Sequence, residues 1–307
     1  MTKRFYYGGQ AVIDGVMMRG RKTIAVVVRR PDGTLATDIQ PLPTIYTGRM
    51  RQTPLIRGII VLIEALVLGM RSLLYSANVS LEEEGEKVSG GLAWVIATIS
   101  LVLGIALFFI VPLFLTRLLH ISSSLLFNLV DGLFRVAIFV AYLKVMTLMP
   151  DIKRVFAYHG AEHKVVNAYE AGIPLEVEAV KEYSTAHARC GTSFLFAVLM
   201  ISIVLFALTG LHSAGQMVLS RLILIPVIAS LSYELIYFGA RHIENGLVKA
   251  ILAPGLWLQA LTTREPDNRQ LEVALSALQS VLVAEQTEEA GATACMRRAI
   301  FLDGFNL

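Results

Sequence analysis

A run of 24 residues without a charged side chain, Leu92–Leu115, constrains this chain more than any other feature. A helix of about 20 apolar residues spans the roughly 30 Å hydrocarbon core of a bilayer. The rest of the chain suits such a setting, because 55% of all residues are hydrophobic, 17% are charged and the mean hydropathy is +0.62. The sequence therefore predicts a membrane protein rather than an ordinary soluble domain.

Three further stretches have the length and composition of membrane spans: Leu125–Met149, Ser193–Leu211 and Leu222–Ala240. The first of these three carries Asp131 and Arg135 four residues apart, which is the spacing of an ion pair on one helix face. The last contains Glu234, for which its own helix offers no partner. A carboxylate inside a membrane is a candidate functional residue, and a hydrogen-bonded structural role explains it equally well.

The distribution of Lys and Arg predicts the orientation of these spans. Twelve such residues precede the first span, five lie between the second and third, and six follow the fourth, whereas the other two connections hold one each. The positive-inside rule then places both termini and the connection 151–192 in the cytoplasm of a multi-pass protein of the plasma (inner) membrane. No signal-peptide core is found at the N-terminus. A net charge of +3 gives no reason to propose nucleic acid as a partner.

The first 91 residues predict a cytoplasmic region with a short β-hairpin. Thr23–Arg29 is rich in β-branched residues, and the Pro and Gly of segment 30–34 suit a tight turn back into Leu35–Ile39. The Gly-flanked apolar run 8–15 predicts another short strand. Its glycines favour a structural turn over a phosphate-binding loop, because the Lys-Ser/Thr ending of such a loop is absent.

A long helix is predicted over Ile56–Asn78, where Arg57, Glu64 and Arg71 follow one another at seven-residue spacing on a single polar stripe. The uncharged run between Glu64 and Arg71 is only six residues, which is too short to span a bilayer. We therefore expect this helix to lie at the membrane interface or to pack against the helix bundle.

The predicted fold class is mainly α, a polytopic membrane protein of about four transmembrane helices with a cytoplasmic α+β portion. Four parts follow along the chain: a cytoplasmic region 1–91, a transmembrane region 92–240 with a His-rich insertion 151–192, a cytoplasmic helical segment 241–283 and a tail 284–307. In the third part Trp257 is a candidate interfacial anchor. An amphipathic helix over 268–283 there could cover the cytoplasmic region. The tail contains Cys295, which we interpret as an incidental thiol.

The connection 151–192 holds the residues with the most distinctive chemistry. A helix after Pro150 would place His159 and His163 four residues apart, with imidazoles about 6 Å apart on one face. Such a pair suits one metal ion, and Glu162 beside it could be a ligand, a partner of a ligand or a proton acceptor for water. The order His-x-x-Glu-His matches the inverted zinc-protease motif, although isolated matches also occur where the histidines only pack or face solvent.

A second polar segment supplies further candidate ligands. His187 and Cys190 lie three residues apart and offer the imidazole and thiolate that zinc and similar ions prefer. We predict one divalent transition ion, most simply zinc, held by His159, His163 and at least one of His187 and Cys190. The two cysteines of the chain lie far apart in unlike surroundings and predict no disulfide framework.

Glu170 lies near the helix face of His159 but roughly 10 Å beyond His163, which is too far for the two to share an ion. Three alternatives remain for it: a second ion, the region of Arg189, or a solvated face. Arg189 is itself a candidate clamp for an anionic substrate.

Five sequence motifs occur in order along the chain. They are Gly8–Arg19, His159–Lys164 with the following 168–170, His187–Phe194, Pro254–Gln259 and Leu261–Pro266. Together they resemble the bacterial YqhQ family, and the resemblance extends over nearly all of residues 7–282. That family is an uncharacterised group of membrane proteins usually described as predicted metal-dependent enzymes, so the resemblance implies a metal site without specifying a reaction. Asp14 and Ala188 stand where the family usually has Glu and Pro, and both leave the proposed ligands intact.

Two functional classes are compatible with these patterns. The first is a membrane-embedded metal-dependent hydrolase for a small-molecule, lipid or peptide substrate, with Glu162 as general base and Arg189 binding the substrate. The second is a non-catalytic transporter or assembly factor with a structural metal, in which Asp131, Arg135 and Glu234 line a pathway. The number of ligands separates them, because four protein ligands close a site whereas three leave a position for water.

Overall fold

The computed structural model describes residues 7–82, 88–187, 189–209 and 214–303, without the side chains of residues 209, 214, 217 and 288–303. Within this part the protein is mainly helical and carries one small antiparallel sheet near its N-terminus. The predicted mainly α class with a small β portion is confirmed. Ala188, Leu211 and the side chain of Cys295 lie outside the described residues.

The helices are α1 Ile56–Ser80, α2 Gly90–Ile105, α3 Val111–Leu118, α4 Ser124–Met146, α5 Pro150–Glu170, α6 Val177–Lys181, α7 Gly191–Thr209, α8 Ala214–Arg241, α9 Gly246–Thr262 and α10 Asn268–Asp303. Two short 3-10 helices, Thr44–Tyr46 and Arg49–Gln52, precede α1. A π-helical turn, Ala106–Ile110, joins α2 to α3. It lies just before Pro112, which has no amide hydrogen and therefore interrupts the regular hydrogen-bond ladder.

The sheet is an antiparallel meander of four strands in the order of the chain: β1 Gly8–Val12, β2 Gly15–Arg19, β3 Thr23–Arg29 and β4 Leu35–Pro41. β3 and β4 form the predicted hairpin. β2 was not predicted, and a two-residue turn at Ile13 and Asp14 separates it from β1. The pair Asp14-Gly15 could have indicated that turn, since Asp tolerates the positive φ of 51° found at Asp14.

Both faces of the sheet are covered by helices, which explains why β3 is almost wholly apolar. Side chains of β2 and β3 alternate between the faces, as the two-residue period of a strand requires. Val16 and Val27 belong to a core shared with α5 and α10, whereas Met17 and Val26 belong to a core shared with α1. The predicted cover by the C-terminal helix is thus confirmed, with Leu278 of α10 fully buried.

Within the part of the chain that the structure describes, five helical segments are long and apolar enough to cross a membrane, whereas about four are expected from the sequence. The additional segment is α1. One end of α1 packs on α8, where a side chain at Gly58 would meet the backbone of Ser230, and the other end packs on the sheet, where Ser76 Oγ accepts a hydrogen bond of 3.2 Å from the Ile13 N–H. The contacts of α1 are those of a bundle-packed helix, which is one of the two alternatives expected from the sequence. The expectation that α1 is too short to span a bilayer is wrong, because this helix of 25 residues is long and apolar enough to cross one.

Two helices extend further than predicted. α8 begins at Ala214, so Arg221 is a residue of the helix, 3% exposed, and does not lie in a loop. α10 continues through much of the predicted tail. There Glu285 accepts hydrogen bonds from the Lys22 N–H and the Tyr7 hydroxyl, and these bonds connect the helix to the sheet. Burial and the hydrogen bond with Glu285 raise the pKa of Tyr7.

Candidate metal centre

Helix α5 carries His159 and His163 one turn apart, as predicted, and a glycine allows a neighbouring segment to approach it closely. A side chain at Gly160 would lie 2.0 Å from the carbonyl oxygen of Arg264, in the connection between α9 and α10. The Arg264 N–H donates to the Phe156 carbonyl at 2.9 Å across the same contact. Gly160 therefore permits the end of α9 to reach the histidines.

Both histidines use Nδ1 to contact a backbone carbonyl. Nδ1 of His159 lies 2.8 Å from the Thr262 carbonyl oxygen, and Nδ1 of His163 lies 2.5 Å from that of Thr185. A carbonyl can only accept a hydrogen bond, so Nδ1 must carry the proton in each ring and a neutral ring has its lone pair on Nε2. Metal-ligating histidines are commonly held in this way by a carbonyl or carboxylate.

Cys190 completes the cluster. Its Sγ lies 3.3 Å from Nε2 of His159 and accepts a hydrogen bond of 3.3 Å from the Thr192 N–H in the first turn of α7. One nitrogen from each histidine and this sulfur all lie within 4.8 Å of one another. Three donors at this separation can contact one ion between them, since Zn–N and Zn–S bonds measure about 2.0 to 2.3 Å. The donor set suits a borderline-soft ion.

Glu162 lies beside this cluster on α5. Its Oε1 accepts a hydrogen bond of 2.7 Å from the Gly9 N–H in β1, and its Oε2 lies 3.6 Å from Nε2 of His163. A side chain at Gly9 would come within 2.9 Å of Cγ of Glu162, so glycine is required at this contact. The Gly-rich opening of the chain is thus a strand that holds a carboxylate next to the histidines.

His187 lies next to the three-residue cluster and makes other contacts. Its ring centroid is 5.6 Å from that of His163, but its Nε2 lies 3.2 Å from a guanidinium nitrogen of Arg189 and 3.8 Å from Oε2 of Glu170. Glu170 and Arg189 form an ion pair. Of the three alternatives for Glu170, the structure therefore selects the region of Arg189. Partial burial raises the pKa of Glu170, but the neighbouring His187 ring and the charge of Arg189 outweigh it and hold that pKa below its usual range.

Helix α9 also helps to form the cluster, which was not predicted from the sequence. Gln259 is buried and accepts a hydrogen bond of 3.0 Å from the His187 N–H while donating one of 2.8 Å to the His187 carbonyl. Thr262 supplies the carbonyl for His159, and its hydroxyl lies 2.9 Å from that of Thr192. Gln259 and Thr262 fall within two of the five sequence motifs, and this position could have indicated their role. Thr185 falls within none of these motifs.

The three charged candidates that the sequence places inside membrane spans, Asp131, Arg135 and Glu234, lie in two separate places. Asp131 and Arg135 form the predicted ion pair at 2.8 Å, and Arg221 contacts the same carboxylate oxygen at 3.0 Å. Glu234 instead pairs with Arg57 of α1. Arg221 and Glu234 are 13 residues apart on α8, which is about 20 Å along the helix. The structure therefore does not bring Glu234 together with Asp131 and Arg135.

Fold and site together define a class: a mainly helical protein with several long apolar helices, a small covered sheet and a His-His-Cys cluster between them. The chain belongs to the family described as "Protein of unknown function (DUF1385)", whose profile matches residues 53–284. It is 34% identical over 302 residues to the uncharacterized protein YqhQ of Bacillus subtilis (strain 168), and this alignment covers 92% of the chain and 94% of that relative. No solved structure matches it.

Proposed function

We propose that this chain is a multi-pass plasma-membrane protein with a metal-dependent hydrolase site at its cytoplasmic face. Support for membrane insertion comes from the exposed apolar surface of the long helices. In the segment Gly90–Leu118 none of the most apolar 18-residue window is buried within the protein. An apolar surface of this extent would be costly in water but not in lipid.

The proposed orientation has both termini and the metal centre in the cytoplasm. It is supported by the basic residues, which concentrate in the segment that contains the sheet, in the segment that contains α5 and in the C-terminal segment. Ser122 and Ser184 are both exposed and lie in connections that this topology puts on opposite sides. In a Cys295→Ser background, an impermeant thiol reagent should label Ser122→Cys in intact cells and Ser184→Cys only after lysis. The reverse pattern would contradict the orientation.

The observation that carries the metal proposal is the pair of histidines with Nδ1 on a carbonyl and Nε2 left for an ion. Two exposed or merely packed histidines would not need a matched carbonyl each, nor a thiol 3.3 Å from one of them. His159, His163 and Cys190 are the proposed ligands, and His187 is an adjacent candidate. Zinc fits this donor set best.

The proposed reaction class is hydrolysis. A bound divalent ion would supply Lewis acidity and lower the pKa of water. Glu162 would accept the proton, because Gly9 fixes one of its oxygens and leaves the other 3.6 Å from Nε2 of His163. Arg189 would contact an anionic part of the substrate after exchanging its ion pair with Glu170. The substrate class, whether small molecule, lipid or peptide, stays open.

Metal analysis of the purified protein tests the site. We expect about one equivalent of zinc in the wild type and in Glu162→Gln, and a loss of at least about tenfold in affinity in His163→Ala. His242→Ala is the matched control, because His242 is exposed and its ring contacts Phe238 at the end of α8 rather than the cluster of His159, His163 and Cys190. Unchanged metal in the double variant His159→Ala/His163→Ala would refute the site.

Cobalt substitution tests the thiolate ligand separately. A cobalt–sulfur bond gives a charge-transfer absorption band, which should disappear in Cys190→Ser. Zinc loss in Glu162→Gln would instead make Glu162 a fourth protein ligand. That result would favour the alternative function, a non-catalytic transporter or assembly factor with a structural metal, because a closed site leaves no position for water.

A further inference from the structure

A second group of buried charges lies in the apolar helices, and it carries an uncompensated positive charge. Asp131 and Arg135 of α4 and Arg221 of α8 are at most 3% exposed. The two arginines share one carboxylate oxygen, at 2.8 Å and 3.0 Å. Two cations against one anion leave a net charge of +1 among these three residues.

The cluster also has unpaired hydrogen-bonding atoms. Among the described residues, Nε of Arg135 and Oδ1 of Asp131 are buried without a partner. In the part of the chain that the structure describes, Nη1 of Arg221 donates a long hydrogen bond of 3.4 Å to the Phe109 carbonyl, in the π-helical turn before α3. Buried donors are nearly always satisfied, and π-helical turns frequently mark functional sites. An additional acceptor would satisfy the two arginine donors, Nε of Arg135 and Nη1 of Arg221.

Aromatic rings compensate the charge only in part. Phe206 lies under both guanidinium groups, 5.0 Å from Arg135 and 5.1 Å from Arg221, and Phe109 lies 5.0 Å from Arg135. A ring face attracts a cation weakly, carries no net charge and does not pair with the in-plane Nε–H. The rings therefore pack against the two guanidinium groups without neutralising their positive charge.

We propose that this cluster binds a phosphate oxyanion, with Arg135 Nε and Arg221 as the donors. Arginine prefers planar, bidentate contacts with phosphate, and a monoanion would neutralise the group. Asp131 and Arg221 each lie seven residues from the start of their helix, which puts the cluster about 10 Å below one end of the bundle. The anion is either the headgroup phosphate of a lipid or free inorganic phosphate. This inference does not depend on the metal centre, which lies beyond the opposite end of α4.

The test measures the thermal stability of the full chain in a nonionic detergent, with inorganic phosphate or phosphatidylglycerol added in separate titrations. One of the two should raise the wild-type Tm by about 5 °C at roughly 100 times its Kd. Arg221→Gln leaves the pair of Asp131 with Arg135 balanced and should abolish that shift. Arg241→Gln, an exposed arginine on the same helix, should keep it.

A second variant changes the charge of the cluster in the opposite direction, so that a general loss of stability and a loss of anion binding give different results. Asp131→Asn raises the net charge of the cluster to +2, so the same anion should shift its Tm further than that of the wild type. The responding titration identifies the source as lipid or free phosphate. An Arg221→Gln shift equal to the wild-type shift, or no shift in either titration, would overturn the proposal. Zinc content should stay unchanged in Arg221→Gln, which separates this outcome from failure of the metal centre.

Discussion

The sheet with its covering helices buries apolar side chains, whereas the helices α2, α4, α7 and α8 turn many of theirs outward. Val27 and Leu278 are fully buried in the first region. In the second region Leu103 and Leu133 are more than half exposed, while Asp131 and Arg135 are buried. The two regions of one chain thus follow opposite patterns.

The difference indicates the surroundings of each region. Water favours the burial of apolar groups, as in the core between the sheet and its covering helices. Lipid makes an outward leucine neutral and an outward charge costly, so charges in such a bundle face inward and pair. The His-His-Cys cluster lies where these regions meet, since its residues come from α5 under the sheet and from the turn before α7.

The largest expected effect concerns the buried charges of the bundle. Asp131→Asn removes the partner of both Arg135 and Arg221 and should cost about 3 to 5 kcal/mol of stability. Arg135→Gln should cost less stability than Asp131→Asn, because Asp131 then still pairs with Arg221. From the sequence alone, the double change would be milder than either single one. The structure predicts instead that the double change stays less stable than Arg135→Gln, since Arg221 is left without Asp131. Urea unfolding in mild detergent measures the order of stability of the three variants.

The same truncation in the two regions should have different effects. Leu278→Ala leaves a cavity in the core beneath the sheet and should cost about 3 kcal/mol. Leu103→Ala removes a side chain that is 63% exposed and should cost less than about 0.5 kcal/mol in detergent. Denaturant midpoints of the two variants give the comparison. Equal losses would mean that α2 packs against something in solution.

Two glycine substitutions make a similar pair. Gly160→Ala puts a methyl group 2.0 Å from the Arg264 carbonyl oxygen, which forces α5 and the α9–α10 connection apart and should cost about 2 kcal/mol. Because the adjoining end of α9 orients His159 through the Thr262 carbonyl, zinc affinity should fall as well. Gly104→Ala in α2 meets nothing within 4 Å and should be neutral or slightly stabilising. Normal zinc binding in Gly160→Ala would contradict the role of this contact.

The smallest effect is a pH dependence at the edge of the sheet region. Burial raises the pKa of Asp14, partly offset by Arg154, so the folded protein binds this proton more tightly than the unfolded chain. Its contribution to stability is present below the unfolded pKa of about 3.9 and is lost as the pH rises through the higher folded pKa. Asp14→Asn should therefore remove this pH dependence, which changes the free energy of unfolding by less than about 1 kcal/mol over the whole range.

Asp32 provides the control for that pH dependence. Its hydrogen bonds with Thr34 lower its pKa, so its contribution is present above the unfolded pKa and is lost as the pH falls through the folded one. Asp32→Asn should therefore change the slope with the opposite sign. Unfolding curves between pH 3.5 and 6 would separate the two variants.

The sequence by itself determined the local features of this protein. Uncharged runs, the spacing of Asp131 from Arg135 and the i, i+4 spacing of His159 from His163 each depend on helix geometry alone. They predicted the apolar helices, the ion pair of Asp131 with Arg135 and two residues of the His-His-Cys cluster. The choice between His187 and Cys190 stayed open, and in the described structure only Cys190 joins the two histidines within 4.8 Å.

Only the tertiary structure decided which distant residues meet. The Gly9 N–H on Glu162, the Thr185 and Thr262 carbonyls on the histidines, and Arg221 on Asp131 join positions from 22 to 153 residues apart. Backbone carbonyls and amides carry no residue-specific signal, because every residue supplies them. Their positions follow from how the helices and the sheet pack, and no periodicity in the sequence records that packing.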